Sequence, residues 1–312
     1  MNIVANALLP VFLIIGLGTV LKRTLLPSDE AWMSIESLTY YVLFPALLIV
    51  TTGTADLIGI PARDMAIALI VPFAAIAVLL LIMRSLLERL FSISKPSFTS
   101  IFQASTRWNS YISLALAGAL YGAPGLALTS VPLIVLVPLF NVLSVWVLAH
   151  FASDEKMGIR TMAGHILRNP LIWSCIVGIV INLIGLPLPK FAIAFGEILG
   201  RASLAIGLLL VGAGLAISDI WKLNAGIIVA AVLKLVLLPL IAILLGKALG
   251  LEGPPLAIVA IVASVPTAPA SYILARQMGG DAPLVARILT FQTVVALVTI
   301  TAALFAIGAL HS

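Results

Sequence analysis

The sequence predicts an all-α polytopic membrane protein with ten transmembrane helices, arranged as two inverted repeats of five, in which the fourth and ninth helices are broken. Three observations predict it. Of 312 residues, 62% are hydrophobic and 9% charged, whereas a soluble domain carries roughly a quarter charged residues. Apolar runs of roughly 20 residues, the length that crosses a hydrocarbon core of about 30 Å, recur ten times along the chain. The longest polar stretch between them, 151–166, divides the ten into two fives.

The first run, 3–21, has no positive segment before it and is followed by Lys22-Arg23. A secretory leader has the reverse order, so this run is expected to be a permanent span. The second and third runs cover 34–55 and 64–83, the fourth 97–121 and the fifth 125–150. Residues 1–150 thus form a first repeat and 151–166 a cytoplasmic linker. The second repeat, 167–312, holds runs at 167–186, 192–216, 223–249, 254–275 and 283–309.

Orientation follows from the basic residues. Eleven of the seventeen Lys and Arg fall after odd-numbered runs or at their edges, Lys22, Arg84, Lys156 and Arg276 among them. Four, namely Arg63, Lys190, Arg201 and Lys247, fall on the other side, and Arg107 and Lys234 lie inside runs. The positive-inside bias puts the odd loops in the cytoplasm and both termini outside. The basic residues stand singly, with no aromatic-interleaved cluster, so the net charge of +5 reads as topology and not as nucleic-acid binding.

An odd number of spans per half makes the halves enter the bilayer from opposite sides, so related halves must be inverted. Ala104-Ser105 through Tyr121-Gly122 compares with Ala263-Ser264 through Met278-Gly279, Phe140-Asn141-Val142 with Phe291-Gln292-Thr293, and the stretch Asn6 to Pro10 with Arg168-Asn169-Pro170. The shared order supports the relation more than any one match.

Chemistry is expected where polar or helix-breaking residues interrupt lipid-compatible helix. The ninth run contains Ser264-Val265-Pro266-Thr267-Ala268-Pro269-Ala270-Ser271-Tyr272. Two prolines three apart each lack an amide donor and obstruct the preceding turn, so a continuous helix is not expected. Thr267 is expected to cap a second half-helix, with Pro269 in its first turn. The fourth run carries the polar stretch Gln103 to Tyr111, in which Asn109 and Ser110 are natural caps. Arg107 is a cation near the bilayer centre with no acidic residue in its own run. Such a charge costs about 2.5–3.5 kcal/mol on the gentlest scale, so it is expected to face a cavity or anion, or to snorkel to the cytoplasmic face. Lys234 in the eighth run is either a structural charge or a pathway residue. Asn141, Ser144 and Gln292 are interhelical hydrogen-bond groups or pathway lining. Glu197 and Arg201, four apart, are expected to pair locally.

All twelve acidic residues fall at expected span edges or in loops, Glu36 and Glu197 among them. A coupling ion, H+ or Na+, would then depend on amides, hydroxyls and unwound carbonyls. The three histidines sit at span ends or in loops without ligand spacing, so no metal or cofactor is expected. The single cysteine, Cys175, cannot form a disulfide within the chain.

Several motifs resemble one family in the same order. They are Leu9-Pro10 with Gly16-Leu17-Gly18, Tyr41 through Leu48 with Phe44-Pro45, and Phe102-Gln103 through Arg107-Trp108-Asn109 with Tyr121-Gly122. Lys234-Leu235 with Leu238-Pro239, and Pro266-Thr267-Ala268-Pro269 with Gly279-Gly280-Asp281, complete the set. Over essentially the whole chain they resemble the auxin efflux carrier family in its bacterial branch. The resemblance implies a secondary transporter of organic anions in the bacterial inner membrane, similar to malonate and malate carriers. It further implies helices four and nine crossing at the site, a scaffold of spans one, two, six and seven, a moving unit of spans three to five and eight to ten, and a homodimer. Asn109 and the break at Pro266 to Pro269, with Arg107, Ser110, Thr267 and Ser271 beside them, would hold the substrate carboxylate. Ser110 stands where many plant relatives have proline, and their long central loop is absent, so a small carboxylate or dicarboxylate is expected rather than auxin.

A channel would need a continuous polar stripe, and an enzyme a nucleophile with a base or two metal ligands inside the spans. Neither pattern occurs. A sensor binding the same anion without moving it shares the same binding chemistry. The topology is directly testable: cysteines placed at Ser28 and Ser153 should label only from the cytoplasm, and one at Ser312 only from outside. Labelling of Ser153 and Ser312 from one side would overturn the ten-span arrangement.

Overall fold

The computed structural model describes residues 2–54, 59–152, 170–217 and 223–308. Within them every regular element is helical. In chain order these are α1 (Asn2–Thr24), α2 (Asp29–Leu38), a π-helical turn (Thr39–Leu43), α3 (Phe44–Gly53), α4 (Ala62–Phe91), α5 (Lys95–Thr106) and α6 (Ser110–Phe151). Then come α7 (Pro170–Leu183), α8 (Lys190–Ala213), α9 (Ala225–Val232), a second π turn (Leu233–Leu237), α10 (Leu238–Ala248), α11 (Gly253–Ser264), α12 (Ala270–Gln277) and α13 (Ala282–Ala306). Among the described residues, six helical stretches are long and apolar enough to cross a membrane: Asp29–Gly53, Ala62–Phe91, Lys95–Phe151, Lys190–Ala213, Ala225–Ala248 and Ala282–Ala306.

The two π turns share one cause. Pro45 and Pro239 each stand at the second residue after the turn. A proline offers no amide and its ring crowds the carbonyl four residues back, so the turn before it widens. Accordingly the Phe44 amide reaches the Thr39 carbonyl, and the Leu238 amide reaches that of Leu233.

The structure departs from the sequence reading in two places. The gap expected at 122–124 between the fourth and fifth spans is a single residue: α6 is helical on both sides of Gly122, which takes φ 60° and ψ −143°. Glycine adopts that backbone without a Cβ clash, so one residue suffices to redirect the chain. Helix α2 begins at Asp29, capped by Ser28, so Glu36 lies two turns inside a helix and is half-buried rather than at its edge. Ser28 closes a short loop in which Lys22 pairs with Asp29. Described helix in the sixth run begins at Pro170; Arg168-Asn169, the linker from Ser153 onward and Ser312 lie outside the described residues. Glu197 and Arg201 do approach to 3.8 Å on the exposed face of α8, a pair worth little at such exposure.

The helices gather into two compact units, each drawing on both halves of the chain. One comprises Met1–Ala62, Ser110–Val137 and His165–Gly214. Here small residues let helices touch backbone to backbone. On α1, Thr19 Oγ1 donates to the Gly212 carbonyl of α8 at 2.8 Å, and a β-carbon on Gly18 would run into the Leu209 backbone. On α3, Val50 and Leu47 lie over Gly196 and Gly200 of α8. Asn182 Nδ2 of α7 donates to the Gly53 carbonyl at 3.2 Å. The Phe44 ring stacks on Tyr111 with centroids 4.8 Å apart, and both rings cover Gly207. Outer faces stay apolar, with Leu13 63% and Phe191 78% exposed, as a lipid-facing surface requires.

The other unit comprises Arg63–Asn109, Pro138–Gly164 and Leu215–Ser312. Helices α5 and α11 are its interior: every residue from Phe98 to Thr106 and from Leu256 to Ser264 is buried. Two hydroxyls of α5 are satisfied within the helix, Ser105 donating to the Ile101 carbonyl at 2.9 Å and Thr106 to that of Phe102 at 2.8 Å. Asp281 caps α13 by accepting from the Leu284 amide at 3.0 Å and also accepts from Ser97 Oγ of α5 at 2.8 Å. That ties the starts of α5 and α13 together and gives the Gly279-Gly280-Asp281 motif a structural role.

The close packing of α1 makes a paired prediction. Gly18→Ala should lower the thermal stability of the detergent-purified protein by about 1–3 kcal/mol, the usual cost of overpacking. Gly16→Ala, on the same helix with open space at its β-carbon, should leave it unchanged or slightly raised. Equal effects would refute the contact with α8.

Candidate functional site

Helix α5 ends at Thr106, and the chain runs extended through Arg107, with φ −90° and ψ 158°, before α6 starts at Ser110. Helix α11 ends at Ser264, and the chain runs extended from Val265, with φ −67° and ψ 150°, before α12 starts at Ala270. Within the second unit these two stretches pair through one main-chain hydrogen bond, the Asn109 amide donating to the Pro266 carbonyl at 2.9 Å. Pro266 lacks an amide, so only its carbonyl side is available for such pairing.

Gln292 of α13 fastens this junction. Its Oε1 accepts from the Thr267 amide at 2.9 Å, and its Nε2 donates to the carbonyls of Ala104 and Ala230, each at 3.1 Å. One carboxamide therefore holds the extended segment after α11, the last turn of α5 and the end of α9. Thr267 Oγ1 adds contacts to the Gln103 carbonyl at 3.4 Å and to Ser271 Oγ at 3.2 Å.

The sequence-derived residues divide accordingly. Asn109, Pro266, Thr267 and Ser271 come together and are buried. Arg107 lies at the end of α5, half-buried, where the unpaired carbonyl end of a helix favours a cation. Its amide donates to the Gln103 carbonyl at 2.8 Å. Pro269 occupies the cap position of α12 and makes no side-chain cap hydrogen bond. Thr267 is therefore not the helix cap expected from the sequence, because its amide and hydroxyl are committed to Gln292, Gln103 and Ser271. Ser110 is half-buried at the start of α6 and falls in the other compact unit. Asn141 is half-buried on α6 and takes no part in the hydrogen bonds around Gln292. Lys234 is fully buried in the second π turn.

Two buried side chains near the ends of α5 and α11 were not singled out as site residues in the sequence. Both side-chain amide atoms of Gln103 and the hydroxyl of Ser264 make no hydrogen bond within the described protein. Their signal was position, since each stands within the last turn of the helix that precedes a break. The second π turn was signalled by Pro239.

Gln292→Leu leaves the Thr267 amide and the Ala104 carbonyl without partners, whereas Ala230 still receives the Leu233 amide. At about 1–3 kcal/mol for each orphaned group, the variant should melt well below the wild type in detergent. Thr301→Val, on the same helix but bonded only to its own Leu297 carbonyl, should melt close to it. Similar melting of both variants would refute the role of the carboxamide.

No curated protein matches the chain. Residues 156–304 match a family model described as membrane transport protein, in agreement with the auxin efflux carrier resemblance of the motifs. Together with its long apolar helices, this match makes the chain an integral membrane protein whose residues 156–304 are similar to the membrane transport protein family.

Proposed function

We propose that the protein is a secondary transporter that carries a small organic anion, a carboxylate or a dicarboxylate such as malonate or malate, by an elevator-like alternating-access mechanism. The observation that carries this reading is the Asn109 to Pro266 hydrogen bond, because it joins two interrupted helices in one buried place. Interrupted helices leave unpaired backbone ends, and the positive end of a half-helix favours an anion. The carboxylate is held from one segment by Arg107 and Asn109 and from the other by Thr267, Ser271 and the start of α12 at Pro269. Pro266 keeps the second segment extended. Gln292 is the brace of this site rather than a substrate contact, and Asn141 remains a pathway candidate.

The partition of the chain supports a division of labour. The unit that contains the paired breaks is the moving part, and the unit that contains α1, α2, α3, α7 and α8 is the scaffold; residues Ser110–Val137, expected in the moving unit, group with the latter. The resemblance supports a homodimer in a bacterial inner membrane, and the bias of basic residues supports both termini outside. The two five-span halves are read as an inverted repeat, with spans four and nine broken and crossing.

Purified protein should be stabilised thermally by at least one member of a panel of malonate, malate, succinate and monocarboxylates, and proteoliposomes should take up that compound in labelled form. Stabilisation without uptake would make the protein a sensor of the same anions. Asn109→Ala removes a proposed substrate hydrogen bond worth roughly 0.5–1.5 kcal/mol, so affinity should fall up to about tenfold. Arg107→Lys should keep part of the binding that Arg107→Gln loses. Wild-type affinity in both Asn109→Ala and Arg107→Gln would remove the fourth-span break from the site.

A further inference from the structure

Lys234 stands in the second π turn with its side chain wholly buried. Its Nζ lies 4.5 Å above the Phe73 ring centroid and has no hydrogen-bond partner among the described residues. The π turn packs against α5, α9, α10, α11 and α13. Charged side chains on these elements stand toward their ends. Lys95 opens α5, Glu252 precedes α11, Lys247 near the end of α10 donates to the Ala306 carbonyl, and Arg287 lies in the second turn of α13. On α4, which supplies Phe73, Asp64 is in the first turn and Arg84 pairs with Glu88. No carboxylate among the described residues lies within ion-pair distance of Lys234.

The turn adjoins the break. Ala230, four residues before Lys234, and Ala104, two residues before the end of α5, share the Nε2 of Gln292. A buried ammonium with one aromatic face and no acceptor is expensive, whereas a buried amine needs no counter-charge. An anion entering at the break supplies the missing charge.

We propose that Lys234 is the proton-coupling residue of this transporter. As the anion enters, the lone pair on Nζ takes a proton from water to give the ammonium; as the anion leaves, the N–H bond breaks and the proton returns to water. Anion and proton travel together, and sodium is not required. This inference rests on the carrier reading above.

Two measurements separate the two ideas. Without any anion, the thermal stability of the wild type in detergent should be higher at about pH 9 than at about pH 6, because unfolding frees a buried amine to take a proton, and Lys234→Gln should lose that difference. In proteoliposomes, uptake of labelled malonate, malate or succinate by the wild type should run on a pH gradient with choline in place of sodium and collapse with a protonophore. Its apparent affinity should weaken with rising pH at up to about tenfold per unit, the limit for one coupled proton. Lys234→Arg, which keeps its charge throughout, should lose this slope. Uptake that needs sodium or ignores pH overturns the coupling inference and leaves the carrier reading intact, and it does so on wild-type protein even if the variants fail to fold. A pH-dependent stability that persists in Lys234→Gln also overturns it. No uptake of any panel member, with the stability difference present, overturns the carrier reading and the coupling role with it.

Discussion

The Gln292 carboxamide is the interaction on which the interior of the second unit depends. Helix ends inside an apolar medium expose amides and carbonyls that water cannot reach, and each costs free energy until it finds a partner. Gln292 supplies a donor and an acceptor at the point where three such places meet, the last turn of α5, the end of α9 and the extended stretch after α11. A serine or threonine could reach one of them, while a carboxamide reaches all three. The Asn109 to Pro266 bond is geometrically possible because the segments are held there first.

The same constraint explains how so polar a helix as α5 can be buried on every side. Its Ser105 and Thr106 hydroxyls fold back onto carbonyls of the preceding turn, while Ser97 and Ser100 nearer its start donate to Asp281. Helix α11 meets the constraint differently, with an apolar sequence up to Ser264. The polar groups left over on the elements around the junction, Gln103, Ser264 and Lys234, are therefore conspicuous.

Elsewhere the fold rests on main-chain shape. Prolines 45 and 239 open π turns at the same spacing in the two units, and the glycines of α8 let α1 and α3 lie against its backbone. Dispersion and close approach replace the hydrophobic effect between helices that already sit in an apolar phase.

Much of this was readable in the sequence because membranes impose one-dimensional rules. Apolar run length sets the helices, proline removes amides at fixed positions, and a cation deep in a run draws attention to itself. Pro266 and Pro269 lie in the stretch between the end of α11 and the start of α12, and the polar stretch from Gln103 to Tyr111 spans the end of α5 and the start of α6. Tertiary structure decided what the polar residues do. Thr267 reads locally as a helix cap, yet Gln292, twenty-five residues on, claims its amide. Gln292 itself looks like any polar residue in an apolar span, and its role appears only when Ala104 and Ala230 are brought to it. Lys234 is a lone lysine in the sequence, and only packing shows that no acceptor among the described residues lies within its reach. The physical reason is range: helix length and backbone breaks are set by residues a few positions apart, whereas the satisfaction of a buried polar group depends on atoms far along the chain.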